Sequence, residues 1–265
     1  MAQNGLPETD KWRRAVKWTF VGIFAVALVG GLVGGIIRGS LSDASGAAGH
    51  ASASGSAPGS GTTSPVSAAT AALGSAALLR LTDLPSGWTA GTAAAPTEVT
   101  PWSSKLASCV GIPASLASVA PTKVNSPDFT SADRIDAVED SVSVYPSAAQ
   151  AHAEYTALAG SKTTGCMNRV AADALQKNMQ KEAGSTTTVG VVNFANLPAA
   201  AAAVHLTGFT VTIPIARGGR VLTVTSTQVD FVSGALLHQL TFNGNGAAFP
   251  AVLEEQLLSV VQARH

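Results

Sequence analysis

Phe209-Thr210-Val211-Thr212-Ile213-Pro214-Ile215, then Arg217-Gly218-Gly219-Arg220, then Val221-Leu222-Thr223-Val224 is the stretch whose reading decides the fold. Phe209, Val211, Ile213 and Ile215 alternate with polar or small residues, the period-two pattern of a strand with one buried face. Two adjacent glycines supply the positive φ angles of a tight hairpin turn, so the next run, 221–232, returns antiparallel. Ser233-Gly234-Ala235 turns again into 236–242. Pro214 lacks an amide hydrogen and marks 205–215 as an edge strand.

Working outward, 187–194 is a further β-rich run ahead of these three. On the C-terminal side, Asn243-Gly244-Asn245-Gly246 leads into a helix that starts near Phe249-Pro250, with proline at its first turn. The expected apolar face of that helix is Val252, Leu253, Leu257, Val260 and Val261. On the N-terminal side, 137–145 places Val138, Val142 and Val144 on one strand face. Pro146 stops it, Ser147 caps a helix to about Leu158, and a second helix runs from Cys166 to just before Gly184. Residues 76–81 read as a short helical turn, and 89–135 show little periodicity. Strands joined by tight turns, with amphipathic helices to cover them, make an α+β domain: an antiparallel sheet flanked by helices.

Composition divides the rest of the 265 residues. Residues 1–17 are polar and basic and form a cytoplasmic tail. Residues 18–37 contain no charged side chain, and twenty residues at 1.5 Å each span about 30 Å, the thickness of a bilayer's hydrocarbon core. Lys11, Arg13, Arg14 and Lys17 precede the segment and Arg38 alone lies close behind it, so the N-terminus is expected in the cytoplasm and the C-terminus outside. A cleaved secretory signal has the same charge order but a shorter apolar run. Both readings export the remainder of the chain. Gly22, Gly30 and Gly34 share one helix face; small residues there let two membrane helices approach and form a homodimer, although glycine is also simply frequent in such helices. Residues 38–75 are mostly Gly, Ala, Ser, Thr and Pro and are expected to be a disordered linker. The extracytoplasmic domain is then 76–265, about 190 residues, enough to bury roughly 70% of the surface its unfolded chain exposes.

From Ser75 onward there are 11 Lys+Arg and 13 Asp+Glu, a net of −2, with no basic run. Nucleic acid is therefore not an expected partner. Cys109 and Cys166 are the two cysteines of the chain. In an exported protein an even count reads as a disulfide. The five histidines, His50, His152, His205, His238 and His265, show no metal-ligand spacing. No nucleophile elbow or phosphate loop occurs, and no cofactor is expected. Gly244-Asn245-Gly246 lies between a strand and a helix, yet the third glycine and the βαβ context of a dinucleotide loop are missing. Asp133, Asp136, Glu139 and Asp140 form the densest acidic patch, read as a solvated strand edge rather than a calcium or acid–base site. His238 shares its face with Leu236, Leu240 and Phe242 and reads as a hydrogen-bonded core histidine. Trp88 and Trp102, in the loop-rich segment, are the candidate ligand-contact aromatics; packing against the core is the other reading.

At Leu81-Thr82-Asp83-Leu84-Pro85-Ser86-Gly87-Trp88, Cys109-Val110-Gly111, Ser141-Val142-Ser143-Val144-Tyr145 and Phe242-Asn243-Gly244 followed by Phe249-Pro250, the chain resembles a group of actinobacterial exported proteins. These are tethered to the membrane through Ala/Ser/Pro-rich linkers. More distantly it is similar to the extracytoplasmic sensor domains of mycobacterial transmembrane Ser/Thr kinases. The resemblance covers about residues 76–265 and implies a PsbP-like α/β/α sandwich around a central antiparallel sheet. It also implies four cysteines in two bridges, where this chain has two, and no kinase domain is read in the 17 residues before the anchor. The resemblance carries no functional residues over. The expected function is a membrane-anchored, non-enzymatic binding or sensor-like module for a cell-envelope ligand or a partner protein. The alternatives are an envelope enzyme whose site is assembled from residues distant in sequence, and a scaffold dimerised through its membrane helix.

Overall fold

The hairpin at Gly218 and Gly219, with φ of 57° and 75°, joins the two longest strands of one antiparallel sheet. The computed structural model describes residues 65–93, 104–112, 121–197 and 205–264. Strands β7 (Thr207–Arg217), β8 (Arg220–Ser233) and β9 (Leu236–Asn245) come in the order read in the sequence. β9 pairs along its length with β4 (Asp136–Val144). β1 (Thr89–Ala93), β2 (Thr122–Asn125) and β3 (Pro127–Thr130) continue the sheet beyond β4, and β5 (Thr187–Val189) and β6 (Asn193–Asn196) line the far side of β7.

Pro214 explains why 187–194 is two strands and not one. Its carbonyl accepts a hydrogen bond from Gly190 N at 2.7 Å, so its proline nitrogen faces the same neighbour and offers no donor. The ladder breaks there, with β5 pairing on one side of the gap and β6 on the other. Thus β7 is not an outermost strand as Pro214 had implied; the proline sits at the interruption in its neighbour. Both short strands are then capped by helix side chains. Asn168 exchanges two hydrogen bonds with the Phe194 backbone, at 2.8 and 2.9 Å. Gln180 does the same work between Thr187 O and Val189 N, at 2.7 and 2.8 Å. Such caps close an edge to other chains.

Helices cover both faces. On one face, α1 (Pro65–Ala77), a short 3-10 turn at Leu81–Asp83 and α6 (Ala251–Gln262) pack on Val138, Val142, Val144, Val229, Phe231, Leu240 and Phe242. On the other, α2 (Ser104–Val110), α4 (Thr163–Val170) and α5 (Ala172–Ala183) pack on Phe209, Val211, Ile213, Ile215, Leu222 and Val224. There α3 (Ala148–Leu158), capped by Ser147 as expected, buries Ala151 against Tyr145 and Leu237. The protein is an α+β fold with a large antiparallel sheet between helices.

Several expectations need correction. α1 occupies the end of the stretch read as disordered linker. Alanine is the strongest helix former, and Gly74 lets the helix lie close on the sheet: a Cβ there would come 2.5 Å from Val124 Cγ2. The helix expected from Cys166 starts at Thr163 and breaks at Ala171 into α4 and α5. In α6 the buried side chains are Leu257, Leu258 and Val261, while Val252 is exposed. Segment 89–135, aperiodic to the eye, supplies β1, α2, β2 and β3. Among the described residues no helix is long and apolar enough to cross a membrane. The 18–37 segment, with Gly22, Gly30 and Gly34, lies outside them.

Arg264 ties the two chain ends of the domain together. Its guanidinium donates to the Leu78 carbonyl and to Asp83 Oδ2, the latter at 2.5 Å, and Asp83 also accepts from Arg80 N at 2.6 Å. Arg264→Ala is expected to cost about 2 kcal/mol, since charge-assisted bonds that are largely shielded from water exceed neutral ones. Urea midpoints of the variant and the parent measure it, and an unchanged midpoint would refute the clamp.

Candidate functional site

Residue parity along paired strands decides which side chains meet, because successive residues point to opposite faces. On the face that carries α3, α4 and α5, the register aligns three rows across β4, β9 and β8. Ser141 lies opposite Gln239, and Gln239 opposite Asp230; Glu139 lies opposite Thr241, and Thr241 opposite Gln228; Ala137 lies opposite Asn243, and Asn243 opposite Ser226. Eight of these nine side chains are polar. Asn125 on β2 extends the first row beside Ser141, and Lys123 lies opposite Ser143 on the same face.

This polar floor is inside the protein. Glu139, Ser141, Ser226, Gln228, Asp230 and Thr241 are buried, with Ser141 and Asp230 at 0% exposure and Ser226 at 1%. Gln239, Asn243, Asn125, Asp128 and Lys123 are half-buried around them. The apolar clusters under α4 and α5 end at β7 and the outer parts of β8, and the α3 cluster ends at Leu237 and Val232. The floor lies between the two.

Its groups are partly satisfied by one another. Gln228 Nε2 donates to both oxygens of Asp230, at 2.9 and 3.2 Å, and Gln239 also hydrogen-bonds that carboxyl. Glu139 and Asp128 form a carboxyl–carboxyl hydrogen bond. Burial pushes the Glu139 proton affinity well up, and the neighbouring Asp128 adds to it. Burial raises Asp128 too, so the pair holds a proton in common rather than two full charges. Asp230 is raised to about 7 by burial, against the amides that favour its charged form. Lys123 is lowered to about 8 by burial, with Glu139 and Asp230 pulling the other way. Other atoms have no partner within the described protein: Ser141 Oγ, Ser226 Oγ, Glu139 Oε1 and the side-chain oxygens of Asn125, Asn243 and Asn245. Leaving a buried polar atom unmatched costs about 1–3 kcal/mol, so a row of such atoms among the described residues marks the floor as a place where a further polar partner would be stabilising.

The residues singled out in the sequence fall elsewhere. Cys109 and Cys166 form the disulfide that joins α2 to α4, with 5.7 Å between Cα atoms. Trp88 is half-buried on the opposite sheet face, its ring 6.1 Å from Phe249. It is thus not part of the floor, and Trp102 lies outside the described residues. His238 is a core histidine, fully buried, stacked 4.5 Å from Phe231, with Nδ1 3.7 Å from Asp140 Oδ1. The acidic patch divides: Asp133 is exposed and Asp136 half-buried, as a solvated edge requires, but Glu139 and Asp140 are not at an edge. β4 is paired on both sides, so Glu139 and Asp140 are buried on opposite faces, Asp140 accepting from Leu79 N at 2.9 Å. Among the described residues no three His, Cys, Asp or Glu are placed to hold a metal ion. The floor itself escaped sequence reading, although one signal was present: Glu139-x-Ser141-x-Ser143, Ser226-x-Gln228-x-Asp230 and Gln239-x-Thr241-x-Asn243 are three polar alternations of matching period.

No protein-family model matches the chain, and no curated protein matches it. Among solved structures it is similar to the extracellular domain of PknH from Mycobacterium tuberculosis, with 11% identity and a TM-score of 0.41 over 73% of this chain and 95% of that one.

Proposed function

We propose that this protein is an extracytoplasmic, membrane-tethered and non-enzymatic binding module, sensor-like in character, that holds a polar cell-envelope ligand against the β4–β9–β8 floor. The observation that carries the reading is the set of buried polar side chains with unmatched atoms, Ser141 Oγ and Ser226 Oγ foremost. The disulfide supports an oxidising compartment. The uncharged stretch at 18–37 supports the tether, and helices on both sheet faces support the PsbP-like sandwich.

A binding floor costs stability while it waits. Replacing Ser141 and Ser226 together with alanine removes two unmatched hydroxyls and is expected to leave the free protein as stable, or up to about 1 kcal/mol more stable. The same double variant is expected to lose ligand. With the full chain in detergent, soluble products of cell-envelope hydrolysis should raise the Tm of the parent. A ligand at a hundred times its Kd contributes about 2.7 kcal/mol. The S141A/S226A protein should show no rise. An equal rise in both proteins, or none in the parent, would overturn the reading.

One observation favours a second reading, an envelope enzyme: Asp128 and Glu139 are hydrogen-bonded carboxyls of raised proton affinity on the same floor, an arrangement used in acid–base catalysis. Turnover of a bound envelope fragment, abolished in Glu139→Gln with binding kept, would decide for it.

A further inference from the structure

We propose that the Cys109–Cys166 bridge is a thiol–disulfide exchange site, opened by a protein dithiol that attacks Cys109 Sγ and expels Cys166 as a thiolate held by Arg169. This goes beyond the binding reading and stands without it.

The two sulfurs are unequal. Cys109, near the end of α2, is partly exposed, and Ser108 and Gly111 beside it are open to solvent. Cys166 is fully buried. An incoming thiolate therefore reaches Cys109. The exchange then depends on the other sulfur, because a sulfur leaves faster as its thiolate is better stabilised. In an apolar cluster without a counter-charge, a thiolate at Cys166 would be unfavourable. Arg169 supplies the counter-charge. It lies three residues after Cys166 on α4, on the same side of the helix, with Nη2 3.7 Å from Cys166 Sγ and 3.3 Å from Cys109 Sγ. A neutral disulfide sulfur is only a weak acceptor, and among the described residues no carboxylate forms an ion pair with this guanidinium. Its charge gains most when a thiolate appears. Lys105 and Lys162, both exposed, each lie four residues before a bridge cysteine, so the surroundings of the bridge are positive and draw in an anionic sulfur.

The step balances. The incoming thiolate bonds to Cys109 Sγ, and the electron pair of the old bond stays on Cys166 Sγ. The second sulfur of the dithiol, deprotonated, displaces Cys109 from the mixed disulfide, and Cys109 leaves with that electron pair. The dithiol is oxidised to a disulfide, and the protons it gives up return to Cys109 and Cys166. Reduction unpins α2, which otherwise packs through Leu106 and Val110 on the α4–α5 cluster. A bridge that stabilises by restricting the unfolded chain is still open to exchange in the folded one, since exchange needs access to one sulfur only.

The test uses the oxidised full chain in detergent, without denaturant, and a thioredoxin whose second active-site cysteine is replaced by serine, so that the mixed disulfide accumulates. After acid quenching, mass spectrometry is expected to place the adduct on Cys109. With intact, reduced thioredoxin, Arg169→Met is expected to be reduced about fivefold more slowly than the parent, and Arg169→Lys, which keeps the charge, within about twofold of it. An adduct on Cys166, or R169M reduced as fast as the parent, would overturn the proposal. So would a folded parent that resists reduction while the urea-unfolded chain is reduced, which would leave the bridge purely structural.

Discussion

Replacing Cys109 and Cys166 together with alanine is expected to lower the unfolding free energy by about 4 kcal/mol, the chain-entropy value for a loop of this size. The bridge spans 57 residues, a segment that contains β2, β3, β4 and α3. In the unfolded chain it restricts all of these, and in the folded one it pins α2 to α4. Cys166 is fully buried beside Leu106, Met167 and Leu175. The Arg169 guanidinium lies over both sulfurs, with Nη2 3.3 Å from Cys109 Sγ and 3.7 Å from Cys166 Sγ. Alanine is the better replacement, because a serine hydroxyl at 166 would add a buried polar group to an apolar cluster. Urea denaturation of the double variant, set beside the parent with and without reductant, measures the loss. A difference below about 1 kcal/mol would mean that the helix pair holds α2 without the bond, and would refute the expectation.

The second large effect is a dependence of stability on pH that runs opposite to ordinary acid denaturation. Asp230 is raised from 3.8 to about 7 by burial. Between those values the folded protein holds a proton that the unfolded chain releases, so stability is fully present below about pH 4 and is lost as pH rises through 7. One pH unit is worth at most about 1.4 kcal/mol per proton, so Asp230 alone accounts for about 4 kcal/mol across the window. Glu139 and Asp128, also raised by burial, act in the same direction. Lys123, lowered from 10.5 to about 8, acts above that window with the opposite sign: the folded protein binds fewer protons than the unfolded one, and stability recovers as pH climbs from 8 toward 10. The expected profile therefore has a trough near pH 7 to 8. Denaturation at pH 4.5, 6, 7.5 and 9 maps it, and Asp230→Asn is expected to make the acid side shallower, leaving the share of Glu139 and Asp128 and the alkaline recovery. Stability that climbs steadily from pH 4.5 to 7.5 in the parent would contradict the placement of these carboxyls.

The apolar alternation in β7, the glycine turn after it and the Ser147 cap were legible because each is a local rule acting within a few residues. The same holds for the burial of His238, whose strand partners by parity are all apolar. The cysteine pair was legible from count and compartment alone. β1, β2 and β3 were not legible, since strands of four or five residues carry too few alternations to rise above a Ser, Thr and Pro background; β2 and β3 form against the edge that β4 offers, and β1 against β3 in turn. α1 was hidden by composition: its small residues read as linker until Val124 and Val144 are seen packed beneath Gly74.

The amino-acid sequence by itself determined the alternation of polar and apolar faces, the turns and the caps, because those depend on backbone sterics and on neighbours close along the chain, and it determined the disulfide partners because two cysteines allow one pairing. Only the tertiary structure decided which polar faces lie inside. Ser141, Thr241 and Ser226 sit on strands whose patterns look the same whether the polar side meets water or a covered interior. Helices α3, α4 and α5, contributed from other parts of the chain, pack on that side of the sheet, and burial of this kind is a property of the assembled layers, not of any one strand.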